Sequence, residues 1–221
     1  MTATPRGLVR LAAPMSFGLR EVTPLLPEFF ASYPEVSVDL HLSDAQIDLV
    51  GEGFDIAVRI ATLPDSSLVA RRLCAMKGMT VAAPSYLDRC GRPTHPLHLA
   101  EHDCLRYAYQ STADLWRFTN NAGEEVSVRP NGRLRVNNGD AMLPALIEGL
   151  GIAVLPEFIV GEAVRVRQLE VLIPDWSMSN AGLHLVTPSA GPRPARVEAL
   201  LEFLTKRLSR QRWRVSQEQA A

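Results

Sequence analysis

The sequence predicts a two-lobed α/β protein built on parallel strands, and three observations carry that expectation. The first third alternates strand and helix patterns with short links. The middle loses that rhythm to loops and a hairpin signal, and the chain closes on a further strand and a long amphipathic helix. Strand–helix–strand units with short links fold as right-handed crossovers around a parallel sheet.

Taken in order, residues 8–13 form a short strand closed by Pro14. Leu19, Val22, Leu25, Leu26, Phe29, Phe30 and Tyr33 then recur at steps of three and four, one apolar face of a helix. Pro24 and Pro27 lie inside that pattern, so the regular helix is expected near Val22 after an irregular first turn, with Pro34 as its stop. Val36, Val38, Leu40 and Leu42 alternate with polar residues as a strand. Ser43-Asp-Ala-Gln46 matches a capping box, which predicts a helix carrying Ile47 and Val50 inward until Gly51 and Gly53 end it. Residues 54–60 are the next strand, followed by strands at 68–73 and 79–83.

The stretch 91–104 reads as loop, and residues 116–118 and 125–128 flank Asn120-Asn-Ala-Gly123 as a hairpin. Residues 134–137 predict a strand, Ala141, Ala145, Leu146 and Leu150 a helix face, and 151–155 an apolar strand ended by Pro156. A strand at 183–186 and a helix burying Val197, Leu200, Leu201, Leu204 and Leu208 complete the chain. In such a protein ligands bind at the carboxyl ends of strands. Helix starts at Ser16, Ser43 and Asn138 follow those ends and favour an anion.

Composition narrows the classes. The chain has 221 residues, 47% hydrophobic and 21% charged, which supports a full core and excludes disorder. A net charge of −1 offers no global attraction to nucleic acid or anionic membrane. No apolar run approaches the roughly 20 residues that span a bilayer, and the start shows no signal-peptide pattern, so a cytoplasmic protein is expected. Cys74, Cys90 and Cys104 show no paired spacing, which predicts no disulfide framework, and Cys90 and Cys104 read as buried inert thiols rather than a redox pair.

No constellation carries catalysis. Pro14-Met-Ser16-Phe-Gly18 is not a nucleophile elbow, and no phosphate loop, dinucleotide fingerprint or H-E-x-x-H is present. Ser16 suits a cap or a ligand hydrogen-bond donor; Ser43 suits a cap and a ligand contact together. His95, His98 and His102 have a spacing that would chelate metal on a helix, but Pro96 favours a solvated loop. Arg59 ends an apolar strand, either paired with an acid such as Asp65 or clamping a carboxylate. Tyr107 and Tyr109 share a strand face, for packing or recognition. The run Lys206-Arg-Leu-Ser-Arg-Gln-Arg-Trp-Arg214 fits a charged helix end better than a phosphate contact.

Longer runs carry a resemblance. Tyr33-Pro-Glu-Val-Ser-Val-Asp-Leu-His-Leu-Ser43, then Asp48-Leu-Val-Gly-Glu-Gly-Phe-Asp-Ile-Ala-Val-Arg59, resemble the effector-binding domain of LysR-type transcriptional regulators. Leu63-Pro-Asp-Ser-Ser-Leu-Val-Ala-Arg-Arg-Leu73, Ala83-Pro-Ser-Tyr-Leu87, His102-Asp-Cys-Leu105 and Gly149-Leu-Gly-Ile-Ala-Val-Leu-Pro156 extend the match collinearly over about residues 6 to 208.

The resemblance implies a type 2 periplasmic-binding-protein-like fold, each lobe a mostly parallel sheet flanked by helices, joined by two hinge strands. Residues 1–79 with 183–221 would form lobe I and 80–182 lobe II. It further implies a non-enzymatic, cofactor-free sensor that takes a small carboxylate inducer in the cleft between lobes. Carried over by position, the ligand-binding residues would be Ser16, Phe17, Gly18, Ser43, Arg59, Tyr107, Asn138 and Gly139, with no metal ligands. A homodimer or higher homo-oligomer is expected through the helix at 19–33 and the strand at 36–42. Family members contact DNA through an N-terminal winged helix-turn-helix, which these residues lack; residues 2–7 resemble the end of its linker. The other function open to this fold is a transport solute-binding protein.

Overall fold

Apolar residues at alternate positions favour a pleated, half-buried chain. The first such run is β1, Gly7–Ala13, which lies parallel to β2, Val36–Leu42, from Gly7 opposite Val36 to Ala13 opposite Leu42. The structure is a computed structural model that describes residues 4–63, 68–109, 115–178, 181–188 and 192–209. The chain separates into two units, Met1–Met76 with Ala181–Ala221, and Lys77–Asn180.

In the first unit the link from β1 to β2 is helical but not uniform. α1, Met15–Phe17, runs into a π-helical turn over Gly18–Val22 and a 3-10 turn over Thr23–Leu25. Regular α2, Leu26–Ser32, follows, so the α-helix proper starts at Leu26 rather than near Val22. Pro24 and Pro27 each lack an N–H, and wider and tighter turns carry the chain past them. Val22, Leu26 and Phe29 are buried, whereas Leu19 and Phe30 are exposed.

The capping box at Ser43–Gln46 opens no helix. Residues 43–55 form turns in which the Ser43 hydroxyl accepts the Ala45 N–H at 3.2 Å. Asp48 Oδ1 accepts the Val50 and Gly51 N–H groups at 3.2 and 3.0 Å. Side chains that bond neighbouring amides compete with helix, and one turn before a glycine cannot offset the cost of nucleation. Leu49 and Phe54 pack on Ala12, Ala57 and Val186, with Ile47 alongside, while Val50 points to solvent.

β3, Ile56–Ala61, is parallel to β1, but the next strand, β4, Val69–Ala75, does not pair with it. The slot between them holds β13, Gly182–Thr187, antiparallel to both and buried at every residue. The order is β2-β1-β3-β13-β4, a mixed sheet where a mostly parallel one was expected, because a strand returning from the second unit runs opposite to its neighbours. α6, Ala195–Leu208, buries Val197, Leu200, Leu201, Leu204 and Leu208. Arg196 Nε on that helix donates to the Leu8 carbonyl at 2.9 Å, Arg207 pairs with Glu28, and Phe203 meets Phe29 at 5.3 Å. The remainder of the basic run, residues 210–214, lies outside the described residues.

The second unit is also mixed. β5, Gly78–Ala82, runs between β10, Ile152–Pro156, and β11, Glu170–Leu172, antiparallel to both. β7, Trp116–Asn120, and β8, Glu125–Val128, form the expected hairpin, with β12, Trp176–Met178, on the other edge of β7. β6, Arg106–Tyr107, and β9, Arg135–Val136, pair in parallel. The helices are α3, Pro84–Cys90, α4, Met142–Ile147, and α5, Glu157–Arg165. α4 buries Met142 and Leu146; of the face expected, Leu146 is buried and Ala145 half-buried, while Ala141 and Leu150 fall outside the helix and are exposed. α5 has no counterpart in the sequence pattern; Glu157 in its first turn and Arg165 in its last suit the helix dipole.

His102 and Tyr86 tie α3 to the chain before β6. The buried Tyr86 hydroxyl shares a hydrogen bond with His102 Nδ1 at 3.1 Å and accepts the Asp103 N–H at 3.0 Å. Burial holds His102 below the usual imidazole range, and burial then the Arg72 charge do the same for His184. The unfolded rings therefore take up protons first, so this stability is complete above about 6.5 and is lost as pH falls through the folded values. Urea denaturation should show a loss beginning below pH 6.5, with a shallower slope in His102→Gln. Tyr86→Phe, which strands the Asp103 N–H, should cost about 1–3 kcal/mol at pH 8.

Candidate functional site

The carboxyl ends of β1 and β2 bring two short segments of the first unit together. Ser43 N–H donates to the Ala13 carbonyl at 3.0 Å, and Asp44 Oδ1 accepts the Met15 N–H at 2.8 Å. The Ser43 amide and the Asp44 carboxylate thus hold the segment that carries Ser16 and Gly18 beside Ser43. Pro14 provides the extended residue ahead of α1, and its carbonyl accepts the Gly18 N–H at 2.7 Å. At Gly18 a Cβ would meet Leu42 Cδ2, so a larger residue there requires the Leu42 side chain to move.

The individual residues differ in what they can offer. Ser16 is nine-tenths buried at the start of α1, and Phe17 is wholly buried, so its ring packs in the core and only its backbone remains for a ligand. Arg59, in the carboxyl half of β3, donates from Nη2 to the Ile47 carbonyl at 3.0 Å. That bond draws the guanidinium toward the turns that follow Ser43. Asp65, the acid weighed as its partner, lies outside the described residues.

In the second unit the parallel neighbours β6 and β9 place Tyr107 and Asn138 at the same end. Ala108 N–H donates to the Val136 carbonyl at 2.7 Å, which continues the ladder past Tyr107. Tyr107 and Tyr109 meet edge to face at 6.1 Å, so packing and exposure are shared between them. Asn138 Oδ1 accepts the Ala141 N–H at 3.1 Å and the Gly139 carbonyl the Met142 N–H at 3.1 Å, which together open α4. Five of the sequence-derived residues therefore fall in the first unit and three in the second.

Other candidates have structural roles. His95 Nδ1 accepts the Leu97 N–H and His98 Nδ1 the Thr94 N–H, so both rings serve the loop before and through the 3-10 turn at Pro96–Glu101. Among the described residues no three His, Cys, Asp or Glu side chains are placed to hold a metal. Cys74 and Cys104 are buried, and burial pushes the Cys104 thiol up to about 12. Cys90 is exposed, contrary to the expectation of a buried thiol there. Sequence reasoning missed Asp44, whose carboxylate secures Met15, and His184, whose only signal was a histidine within an apolar alternation.

The LysR substrate binding domain matches residues 2–209. The chain is 33% identical over 213 residues to the HTH-type transcriptional regulator PtxR of Pseudomonas aeruginosa, covering 96% of this chain and 68% of that protein. It is 33% identical to an HTH-type transcriptional regulator of Xanthomonas campestris, over 93% of this chain but 60% of the relative. The chain thus spans about two thirds or less of the length of these curated relatives. Among solved structures, full-length AphB of Vibrio cholerae, a virulence activator, gives a TM-score of 0.81 at 27% identity, covering 93% of this chain and 70% of that one. The CrgA regulatory domain of Neisseria meningitidis gives 0.77 at 26% identity, with 91% and 98% coverage. The chain shares the fold of these regulators, here an α/β fold with mixed sheets.

The two polar starts separate experimentally. Asn138→Ala should cost about 1 kcal/mol, because it removes a bond to an opening helix amide. Ser43→Ala should change stability by less than about 0.5 kcal/mol, since no helix begins there. Urea midpoints of the two variants check both.

Proposed function

The chain belongs to the LysR substrate-binding domain family, and on that premise we propose that it senses a small carboxylate for a transcription regulator. It is the effector-binding regulatory domain of a LysR-type transcriptional regulator, a non-enzymatic family. The observation that carries the carboxylate reading is the attachment of Ser16 and Ser43 at adjacent strand ends, with Arg59 on the next parallel strand. Hydroxyls and backbone N–H groups at strand ends suit an oxyanion, and a guanidinium binds a carboxylate through a two-pronged fork. Tyr107, Asn138 and Gly139 are our candidates for the second unit's contribution, in the inter-lobe cleft that the resemblance implies.

A ligand shifts an equilibrium only by its differential affinity for the two states. In this reading the acid favours one disposition of the lobes, and the complete regulator, in the cytoplasm, transmits that bias to DNA through a separate N-terminal domain. The relatives are named as HTH-type transcriptional regulators, which favours regulation over solute transport. Self-association would use β2, an edge strand, and the exposed Leu19 and Phe30 of the helical link that precedes it. Such an edge pairs readily with a second copy.

A thermal-shift screen against aromatic and aliphatic carboxylates tests the ligand class. A ligand at about 100 times its Kd should stabilise by about 2.7 kcal/mol, roughly 5 to 10 °C. Ser16→Trp should abolish that shift while leaving a cooperative melt. No shift from any acid removes the carboxylate reading but not the fold. Gel filtration should give a dimer, and a charge at Leu19, Leu19→Glu, should return it to monomer; a wild-type monomer at high concentration overturns the proposed interface.

A further inference from the structure

We propose that Asp48 is a positioning residue for the effector: it fixes the turn whose Ile47 carbonyl holds one arm of the Arg59 guanidinium and leaves the remaining donors to an acid. This role rests on the carboxylate reading above and deepens it.

Sheet register places the two ends of the contact. Arg59 lies two residues beyond Ala57 on β3, and their partners on β13 are His184 and Val186, so all four share one face of the sheet. The turns over residues 43–55 cover that face. Leu49 and Phe54 pack on Ala57 and Val186, with Ile47 alongside. The same segment reaches Arg59, whose Nη2 donates to the Ile47 carbonyl at 3.0 Å. Arg59 is half-buried and makes no ion pair among the described residues. A guanidinium is a rigid fork of N–H donors, so one bond to a carbonyl orients the group without neutralising it.

The turn holds that carbonyl from both sides. The Ile47 oxygen and the Asp48 N–H belong to one planar peptide, and the N–H donates to Glu52 Oε1 at 3.2 Å. Asp48 closes the turn behind it: Oδ1 accepts the Val50 and Gly51 N–H groups at 3.2 and 3.0 Å, and its carbonyl accepts the Glu52 N–H at 2.9 Å. A short carboxylate suits such local bonds. Beyond the turn, Arg10 Nη1 donates to the Glu52 and Gly53 carbonyls and its guanidinium lies over the Phe54 ring, which ties the segment to β1. Leu49 and Phe54 are buried, so the segment is anchored beneath as well. A guanidinium held before the acid arrives loses less rotamer freedom on binding.

The probes are sodium benzoate and sodium butyrate, each beside its primary amide, at constant ionic strength. Calorimetry gives the affinities, NMR of the Arg59 guanidinium N–H groups reports its restraint, and the amide signals of β13 check that the sheet is intact. Asp48→Ala should average the Arg59 Nη signals and weaken the acids about three- to tenfold, with little change for the amides. Asp48→Asn, whose side-chain oxygen accepts the same N–H groups, should restore both. In an Arg59→Gln background Asp48→Ala should have no further effect on the acids, since the two residues act as a unit. Equal losses for acid and amide make Asp48 purely structural and overturn the proposal, as does wild-type acid binding in Asp48→Ala. Tighter acid binding in Asp48→Asn than in the wild type overturns it too, because Asp48 then acts through its charge. If neither acid moves the Arg59 signals of the wild type, the proposal falls together with the carboxylate reading.

Discussion

The structure of the first unit depends on one constraint: a strand from the far end of the chain must fill the gap left between β3 and β4. β13 hydrogen-bonds to both, is buried along its whole length, and runs against them. Until it arrives, two inward edges stay unpaired, and buried backbone groups without partners cost about 1–3 kcal/mol each. Residues 77–180 are thus an insertion between the strands of one sheet. Contacts so distant in sequence are made late in folding.

The same strand organises the side chains of that sheet. One face of β13 carries Leu183 and Leu185, both buried, with Leu185 opposite the buried Val58 of β3. The other carries Gly182, His184 and Val186, and Val186 joins Ala12, Ala57, Leu49 and Phe54. A one-residue slip would exchange these faces, placing the imidazole in the aliphatic layer. The bulge after Leu183 keeps both demands compatible, since Gly182 and Leu183 pair with Ala75 and Cys74 while His184 pairs with Arg72.

The second unit solves a comparable problem with glycine. The segment at Asp103 and Cys104 bridges to Asn131 and Ile152 rather than forming a long strand. Cβ atoms at Gly132 or Gly151 would overlap the Cys104 and Asp103 backbones, so close approach replaces a regular ladder. Tyr86 and His102 secure the same segment from the α3 side. β6 follows it directly, which fixes where Tyr107 can stand relative to Asn138.

Periodicity and punctuation by themselves determined the strands at β1, β2, β3 and β13, the hairpin of β7 and β8, and the apolar face of α6. Each depends on a local pattern whose buried side is the same in the folded chain. The capping box at Ser43 misled because local amide bonds from Ser43 and Asp48 compete with a helix too short to persist. α5 was illegible because Gly161 and a broken apolar pattern weaken the local signal, and its helix is stabilised by packing Ile159, Val160 and Ala163. At the candidate site, the sequence identified strand ends at Ser16, Ser43, Arg59 and Asn138. Only the tertiary structure decided that Phe17 is core, that Arg59 leans on the Ile47 carbonyl, and that His184 faces Arg72. The register of His184 against Arg72 joins residues more than a hundred positions apart, and no local spacing encodes which strand will become the neighbour of another.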